Sequence, residues 1–276
     1  MEICQYRPEG LLRNWIHCII FYRGYSSECP VERVLPGNYS QLVIPLDDQV
    51  RRVRRHQQIG ACEFRQGWLM GIQTHPVDYE SEQNATTVVV QFNALALSPL
   101  CQLASHELTN QMIALESLGP TFVQLRERLC RLSEAKDILQ FLESSLTQLL
   151  ARSSPDDRVV RYLQADRMSD CLSLRDISEA MGFSHKHFIN KFKQATGITP
   201  KLYQRLMRLN QALLGLGGGE APRGLTDFGD FFDQSHAIHE MKSFTGLTPR
   251  QLQQSRRPYP NVIELFHDSA ELSEAK

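Results

Sequence analysis

The chain has 276 residues, 42% of them hydrophobic, with 30 Lys and Arg against 31 Asp and Glu and a formal net charge of −1. That length exceeds one small helical module and predicts at least two domains, while the near-neutral balance excludes a polycation that coats its partner through charge alone. Seven cysteines with no C-x-x-C, no charged start before an apolar run and no stretch near the roughly 18 apolar residues of a membrane span point to a reducing cytoplasmic compartment and no membrane.

The N-terminal part holds short runs rich in β-branched and aromatic residues: WIHCIIFY at 15–22, SQLVIPL at 40–46, WLMGI at 68–72 and TTVVVQF at 86–92. Separated by Gly, Pro, Asn and Asp, they predict an antiparallel sheet or barrel. Trp15, Tyr22, Trp68 and Phe92 would line a cavity for an uncharged or weakly polar small molecule, rather than a metal complex, or simply fill a core. FVQLRERLCRL at 122–132 and ILQFLESSLTQLL at 138–150 carry apolar stripes at Leu125, Leu129 and Leu132 and at Ile138, Leu142, Leu146 and Leu149. These predict a helix pair that either covers an open barrel side or forms a homodimer seam. The polar ARSSPDDR at 151–158 marks a linker, dividing 1–154, an α+β sensor or dimerisation domain, from 155–257, an all-α domain. The remainder, 258–276, reads as a solvated acidic tail with Asp268, Glu271 and Glu274.

The all-α part contains a repeat. FSHKHFINKFKQATGITP at 183–200 recurs 49 residues later as FDQSHAIHEMKSFTGLTP at 232–249, identical at eight of eighteen positions. In the first copy Leu174, Ile177 and Met181 make a short amphipathic helix, Gly182 breaks it, and Ser184 caps a second helix turned inward by Phe188 and Phe192. Gly197 ends that helix and Thr199-Pro200 opens a longer one through Leu202, Tyr203, Leu206 and Leu209. Two short helices crossed over a turn are a helix-turn-helix, whose second helix fits the major groove of DNA. Its outward face would be His185, Lys186, Asn190 and Lys191 with Ser184 at the cap. Asn190 can pair bidentately with adenine, Lys186 can donate to guanine, and Lys191 or Lys193 can meet a phosphate. Residues 155–257 carry a net charge of +4, enough for a local cationic stripe.

With LRDISEAMGFSHKHFINKFKQATGITP at 174–200 and FFDQSHAIHEMKSFTGLTP at 231–249, the region resembles the two-unit DNA-binding domain of the AraC/XylS family of bacterial transcriptional regulators. The resemblance implies that each second helix reads one of two successive major-groove segments of double-stranded DNA. It adds Gln234, Ser235 and His239 of the second copy to the base-facing residues, with Lys242 the repeat partner of Lys193. It also implies a cupin-like N-terminal half, supported by ERVLPGNYSQLVIPL at 32–46, and with it a small-molecule effector, a homodimer through 122–150 and a contact with RNA polymerase. The second copy departs from the pattern. Its support segment, 225–230, is nearly one turn short, Ala237 and Met241 replace the two phenylalanines, glycines crowd the joining segment at 213–224, and His239 replaces the family's usual arginine.

Two other readings stand beside this one. In the first, the second unit has decayed into a docking surface of a protein that no longer binds DNA. In the second, the barrel is a cupin-type enzyme. The N-terminal half has only His17, His56, His75 and His106, in no H-x-H spacing, and there is no P-loop, G-x-G-x-x-G or G-x-S-x-G. The sequence therefore predicts no catalytic residue, no metal and no cofactor. Cys18 and Cys130 are expected in the core, and His187 and His236 to act structurally near the start of each helix.

Overall fold

The alternation in TTVVVQF places Val88, Val90 and Phe92 on one face of a strand and Thr87, Val89 and Gln91 on the other. Both faces are covered. The computed structural model describes residues 1–55, 60–101, 103–151, 174–217, 234–256 and 261–265. Its strands are β1 (Glu2–Tyr6), β2 (Ile16–Tyr25), β3 (Val31–Val34), β4 (Tyr39–Pro45), β5 (Arg51–Arg55), β6 (Cys62–Phe64), β7 (Trp68–Met70), β8 (Val77–Glu80), β9 (Ala85–Asn93), β10 (Met112–Ala114) and β11 (Val262–Leu265). Its α-helices are α1 (Leu97–Cys101), α2 (Ser105–Leu108), α3 (Pro120–Leu129), α4 (Ala135–Leu150), α5 (Leu174–Ala180), α6 (His185–Thr196), α7 (Pro200–Gly217), α8 (Gln234–Thr245) and α9 (Pro249–Gln254). The architecture is the expected α+β: an antiparallel β half with flanking helices, then a helical half.

One sheet runs β1-β2-β9-β4-β7-β10 and the other β11-β3-β8-β5-β6, with antiparallel pairing throughout. In the first sheet Ile19 and Phe21 of β2 stand opposite Val90 and Val88 of β9, which in turn face Leu42 and Ile44 of β4. This layer packs on Phe122, Leu125 and Leu129 of α3 and on Ile138, Leu142, Leu146 and Leu150 of α4. The helix pair thus covers the sheet, and its apolar stripe is consumed within the chain. The opposite face of the same sheet meets the second sheet through Val43, Trp68, Met70, Val53, Phe64 and Val77. Cys18 is buried as expected, whereas Cys130 lies just past the end of α3 and is exposed rather than in the core.

The C-terminal tail requires a correction. Residues 262–265 are not solvated: β11 pairs antiparallel with β3, setting Ile263 against Arg33 and Leu265 against Val31. Ile263 is fully buried, and Arg256 just after α9 bridges to Glu264 at 3.1 Å and also to Glu28. The physical reason is local composition. VIEL is a strand former, and β3 would otherwise leave a row of backbone donors and acceptors unpaired. The acidic residues that dominated the charge count, Asp268, Glu271 and Glu274, lie outside the described residues. Buried contacts also run between residues on either side of the expected division at 154/155: Leu206, Leu209 and Leu213 of α7 and Ala237, Met241 and Phe244 of α8 share one core with Val31, Leu35, Ile72 and Ala94, closed by Ile263 and Leu265.

Ile263→Ala tests this arrangement. A buried strand residue truncated to alanine should lose about 2–5 kcal/mol of unfolding free energy, whereas a change in a solvated tail would leave the urea midpoint unmoved.

Candidate nucleic-acid interface

Ile177, Met181, Phe188 and Phe192 are buried together, with Tyr203 of α7 packed against them. Phe188 and Phe192 meet edge-on at 5.8 Å and Phe192 meets Tyr203 at 5.6 Å. Gly182 adopts a φ of 69° in the turn, and Ser184 caps α6 by accepting from the backbone N–H of His187 at 3.3 Å. This is the expected helix-turn-helix, built by the expected residues.

The repeated residues prove to be its frame. Thr196 Oγ1 donates to the carbonyls of Phe192 and Ile198, and Thr245 Oγ1 does the same to Met241 and Leu247. Gly197 and Gly246 both end their helices in the left-handed region, at φ 87° and 76°. Thr199 and Thr248 each accept from the N–H three residues on, at 3.3 Å, and Thr248 with Gln251 completes a capping box. The four matched positions T-G-x-T-P are therefore helix stops and starts, and carry no recognition chemistry themselves.

Most of the expected contact residues face outward, and all but the shared Lys193 and Lys242 differ between the copies. Ser184, His185, Lys186, Asn190 and Lys193 are exposed and Lys191 is half-buried on unit one; Ser235, His239 and Lys242 are exposed on unit two. Gln234 opens α8, but its side chain lies outside the described residues. The support segment at 225–232 lies outside them as well. Ile238, 37% exposed, adds an apolar group beside His239 that sequence reasoning did not single out. His236 stands 4.0 Å from Glu240 near the start of α8, and His187 packs edge-on against Phe183 at 4.9 Å.

Two further differences between the copies are resolved by packing. Ala237 and Met241 are both fully buried, and Phe244 stands where unit one has Ala195, so the lost aromatic volume returns one turn later along the helix. Glu240 occupies the position of Lys191 and would oppose DNA if it faced outward. Instead it is 7% exposed and accepts from Arg205 Nε at 3.0 and 2.9 Å, while the Arg205 guanidinium lies 4.7 Å above the Phe244 ring. The acid is thus neutralised on the inner side of α8 by the joining helix. The Lys-to-Glu reversal within the repeat was the sequence signal for this pair. Of the joining segment at 213–224 the first part is helical, α7 continuing through Gly217 with Leu213 buried, and residues 218–224 lie outside the described residues.

The first unit is docked on the β half. Ser105 Oγ donates to the Ala195 carbonyl at 3.0 Å and Thr109 Oγ1 to the Gly197 carbonyl at 3.1 Å. A Cβ at Gly197 would press into the Ser105 carbonyl and stand 2.7 Å from Thr109 Oγ1. Further along, Asn210 of α7 donates to Asn38 at 2.6 Å.

Between the sheets lies a cavity of about 100 Å³, well short of the roughly 300 Å³ at which drug-sized ligand pockets begin. Of the four aromatic walls expected, Tyr22 and Trp68 line it, while Trp15 and Phe92 sit in the core beneath α3 and α4. Asn261 and Val262, from beyond the second helical unit, form part of its wall. Among the described residues no group of three or more His, Cys, Asp or Glu is placed to hold a metal, and no helix is long and apolar enough to cross a membrane.

Residues 165–205 match the family described as bacterial regulatory helix-turn-helix proteins, AraC family, and residues 4–114 match a domain of unknown function, DUF6597. Over 141 residues the chain is 31% identical to the uncharacterized HTH-type transcriptional regulator YbfI of Bacillus subtilis, covering 48% of this chain and 49% of that protein. The chain thus spans about half the length of this curated relative. Among solved structures, ToxT from Vibrio cholerae O395 aligns at 12% identity and TM-score 0.49 over 85% of this chain and 96% of that one. Wild-type ToxT with a bound unsaturated fatty acid aligns at 8% and 0.47, over 91% and 94%.

The two helix-stop glycines should respond differently to alanine. Gly246→Ala meets only the left-handed backbone penalty of about 1–2 kcal/mol, since its nearest neighbour to an added Cβ is Arg33 at 3.9 Å. Gly197→Ala should lose about 1–3 kcal/mol more through overpacking against Ser105 and Thr109. Equal losses in chemical denaturation would show that the docking of α6 is not tight.

Proposed function

We propose, from the match of residues 165–205 to AraC-family helix-turn-helix proteins, that the chain is a sequence-specific DNA-binding transcriptional regulator in which α6 and α8 read successive major-groove segments. The observation that carries this reading is the separation of roles within the repeat: the framing residues are shared, as are the exposed Lys193 and Lys242, while the expected base-facing residues diverge, Lys186 against Ser235 and Asn190 against His239. Two helices held in one frame but bearing different outward donors suit an asymmetric DNA site. The sequestration of Glu240 by Arg205 supports participation of α8, because it removes the one carboxylate that α8 would set against phosphates. Ile238 is suited to the methyl group of a thymine.

Control from the β half is supported by two physical connections. The end of α6 is hydrogen-bonded to Ser105 and Thr109, and the strand that follows α9 both completes the second sheet and walls the cavity. A change in the cavity is positioned to reach the second unit through Asn261 and Val262. A homodimer through α3 and α4 would use their exposed faces, since the apolar stripes are already buried against the sheet.

The test begins with a duplex selected from a randomised pool by the full chain. Asn190→Ala should cost about 1–3 kcal/mol on that duplex and flatten discrimination at one base pair. Lys193→Ala should weaken selected and scrambled duplexes alike and lower the salt slope by about one. Anisotropy titrations read both. Equal losses on the two duplexes for Asn190→Ala would defeat its base-reading role, and failure to enrich any duplex would favour a docking protein instead.

A further inference from the structure

The cavity between the sheets has a definite chemistry, set by its walls. Tyr22, Tyr25, Trp68 and Tyr79 give it aromatic surface, Glu32 and Glu82 give it carboxylates, and no Lys, Arg or His lines it. Charge around it does not balance. Glu82 contacts the guanidinium of Arg51 through Oε1, while its Oε2 is buried with no hydrogen-bond partner. Arg51 is shared with Asp47, at 2.8 Å, so one cation serves two acids. Glu32 takes a hydrogen bond from Tyr25 but forms no ion pair among the described residues, and it stands directly across the strand pair from Glu264. Like charges at that register repel. Burial pushes the Glu32 carboxyl up, and burial pushes Glu82 up to about 7 against the opposing pull of Arg51.

A second, independent group is poorly satisfied. Trp68 is 1% exposed, and its indole Nε1–H reaches no acceptor in good hydrogen-bond geometry, with only the Tyr79 hydroxyl beside it to bear on. A buried donor of this kind is costly unless something accepts from it. The wall thus presents two carboxyls with no cation of its own among the lining residues, aromatic faces and one poorly satisfied donor.

We propose that this cavity binds a small organic cation that also carries a hydroxyl oxygen, an amino alcohol or its quaternary ammonium analogue. The ammonium is drawn to Glu32 and Glu82 and to the aromatic faces, and the hydroxyl oxygen accepts from Trp68 Nε1. The cavity of about 100 Å³ lies well below the roughly 300 Å³ at which drug-sized pockets begin, which selects a small amino alcohol over a drug-sized ligand. A carboxylate ligand would add charge of the sign the two lining carboxyls already carry. The assignment rests on the reading of the β half as the controlling half, but binding can be measured without DNA.

The experiment uses the full chain and three probes: choline, its neutral isostere 3,3-dimethylbutan-1-ol, and acetate. In calorimetry and thermal unfolding, choline should bind and raise the melting temperature, the neutral isostere should bind at least tenfold more weakly, and acetate should have no effect. Choline affinity should rise from pH 6 to pH 8, because the ionised form of Glu82 is the one that holds a cation and is present above about 7. The charged and titratable groups facing Glu82 are Arg51, Asp47, Glu32 and Tyr79. Glu82→Gln should remove that pH dependence and weaken choline at least tenfold. Should Glu82→Gln fail to fold, Glu32→Gln provides the second variant, with the same loss of affinity expected. Trp68→Phe should weaken choline but leave tetramethylammonium, which has no oxygen, unaffected. Equal binding of choline and its neutral isostere, tighter binding of acetate, or no shift with choline at 10 mM would overturn the proposal. A parallel anisotropy titration of the selected duplex separates the two readings. Choline binding without any effect on DNA affinity would leave the site standing and remove only its regulatory role.

Discussion

Everything on the C-terminal side of this molecule depends on the pairing of β11 with β3. That pairing satisfies a sheet edge, seats Ile263 and Leu265 among Leu206, Leu209 and Met241, and places Asn261 and Val262 in the cavity wall. Because α9 and β11 are so close in sequence, and Arg256 between them is tied to Glu28 and Glu264, the second helical unit cannot move far without disturbing the second sheet. The chain leaves the β half to form the helices and returns to finish it. Such a closure joins the two halves through one buried core whose members come from both sides of what the sequence presents as a linker.

The doubly covered first sheet supplies the rigidity behind this. Its strands carry apolar side chains on both faces, one layer under α3 and α4 and the other toward the second sheet. The inner face is the looser one, because it meets carboxylates and amides as well as Trp68 and Tyr79. Polar groups gathered there are a burden in a packed core and an asset in a binding site, and this is why the cavity and the buried acids coincide.

The helical half separates frame from face. Thr196 and Thr245, Gly197 and Gly246, and the capping threonines fix how each recognition helix ends, so the outward positions are free to differ. Arg205 shows the same economy: one guanidinium stacks on Phe244, binds Glu240 bidentately and joins α7 to α8, converting a charge that would oppose a polyanion into a structural tie.

The sequence by itself determined the strands at 16–25, 39–45, 68–70 and 85–93, the helix pair, and the turn, cap and stop of the first helical unit, because each is a local pattern whose period or capping residue acts within a few neighbours. It did not reveal RRVRR, CEF or VDYE as strands. These are short and charged, and they persist through partners far along the chain, such as Arg52 with Glu63 at 3.0 Å and Arg33 with Asp78 at 2.6 Å. The fate of VIEL, the burial of Glu240, the docking of Gly197 on Ser105 and Thr109 and the identity of the cavity walls were likewise decided only by tertiary structure. Each is a contact between residues from different elements, and no periodicity along the chain encodes which distant surface will meet a given side chain.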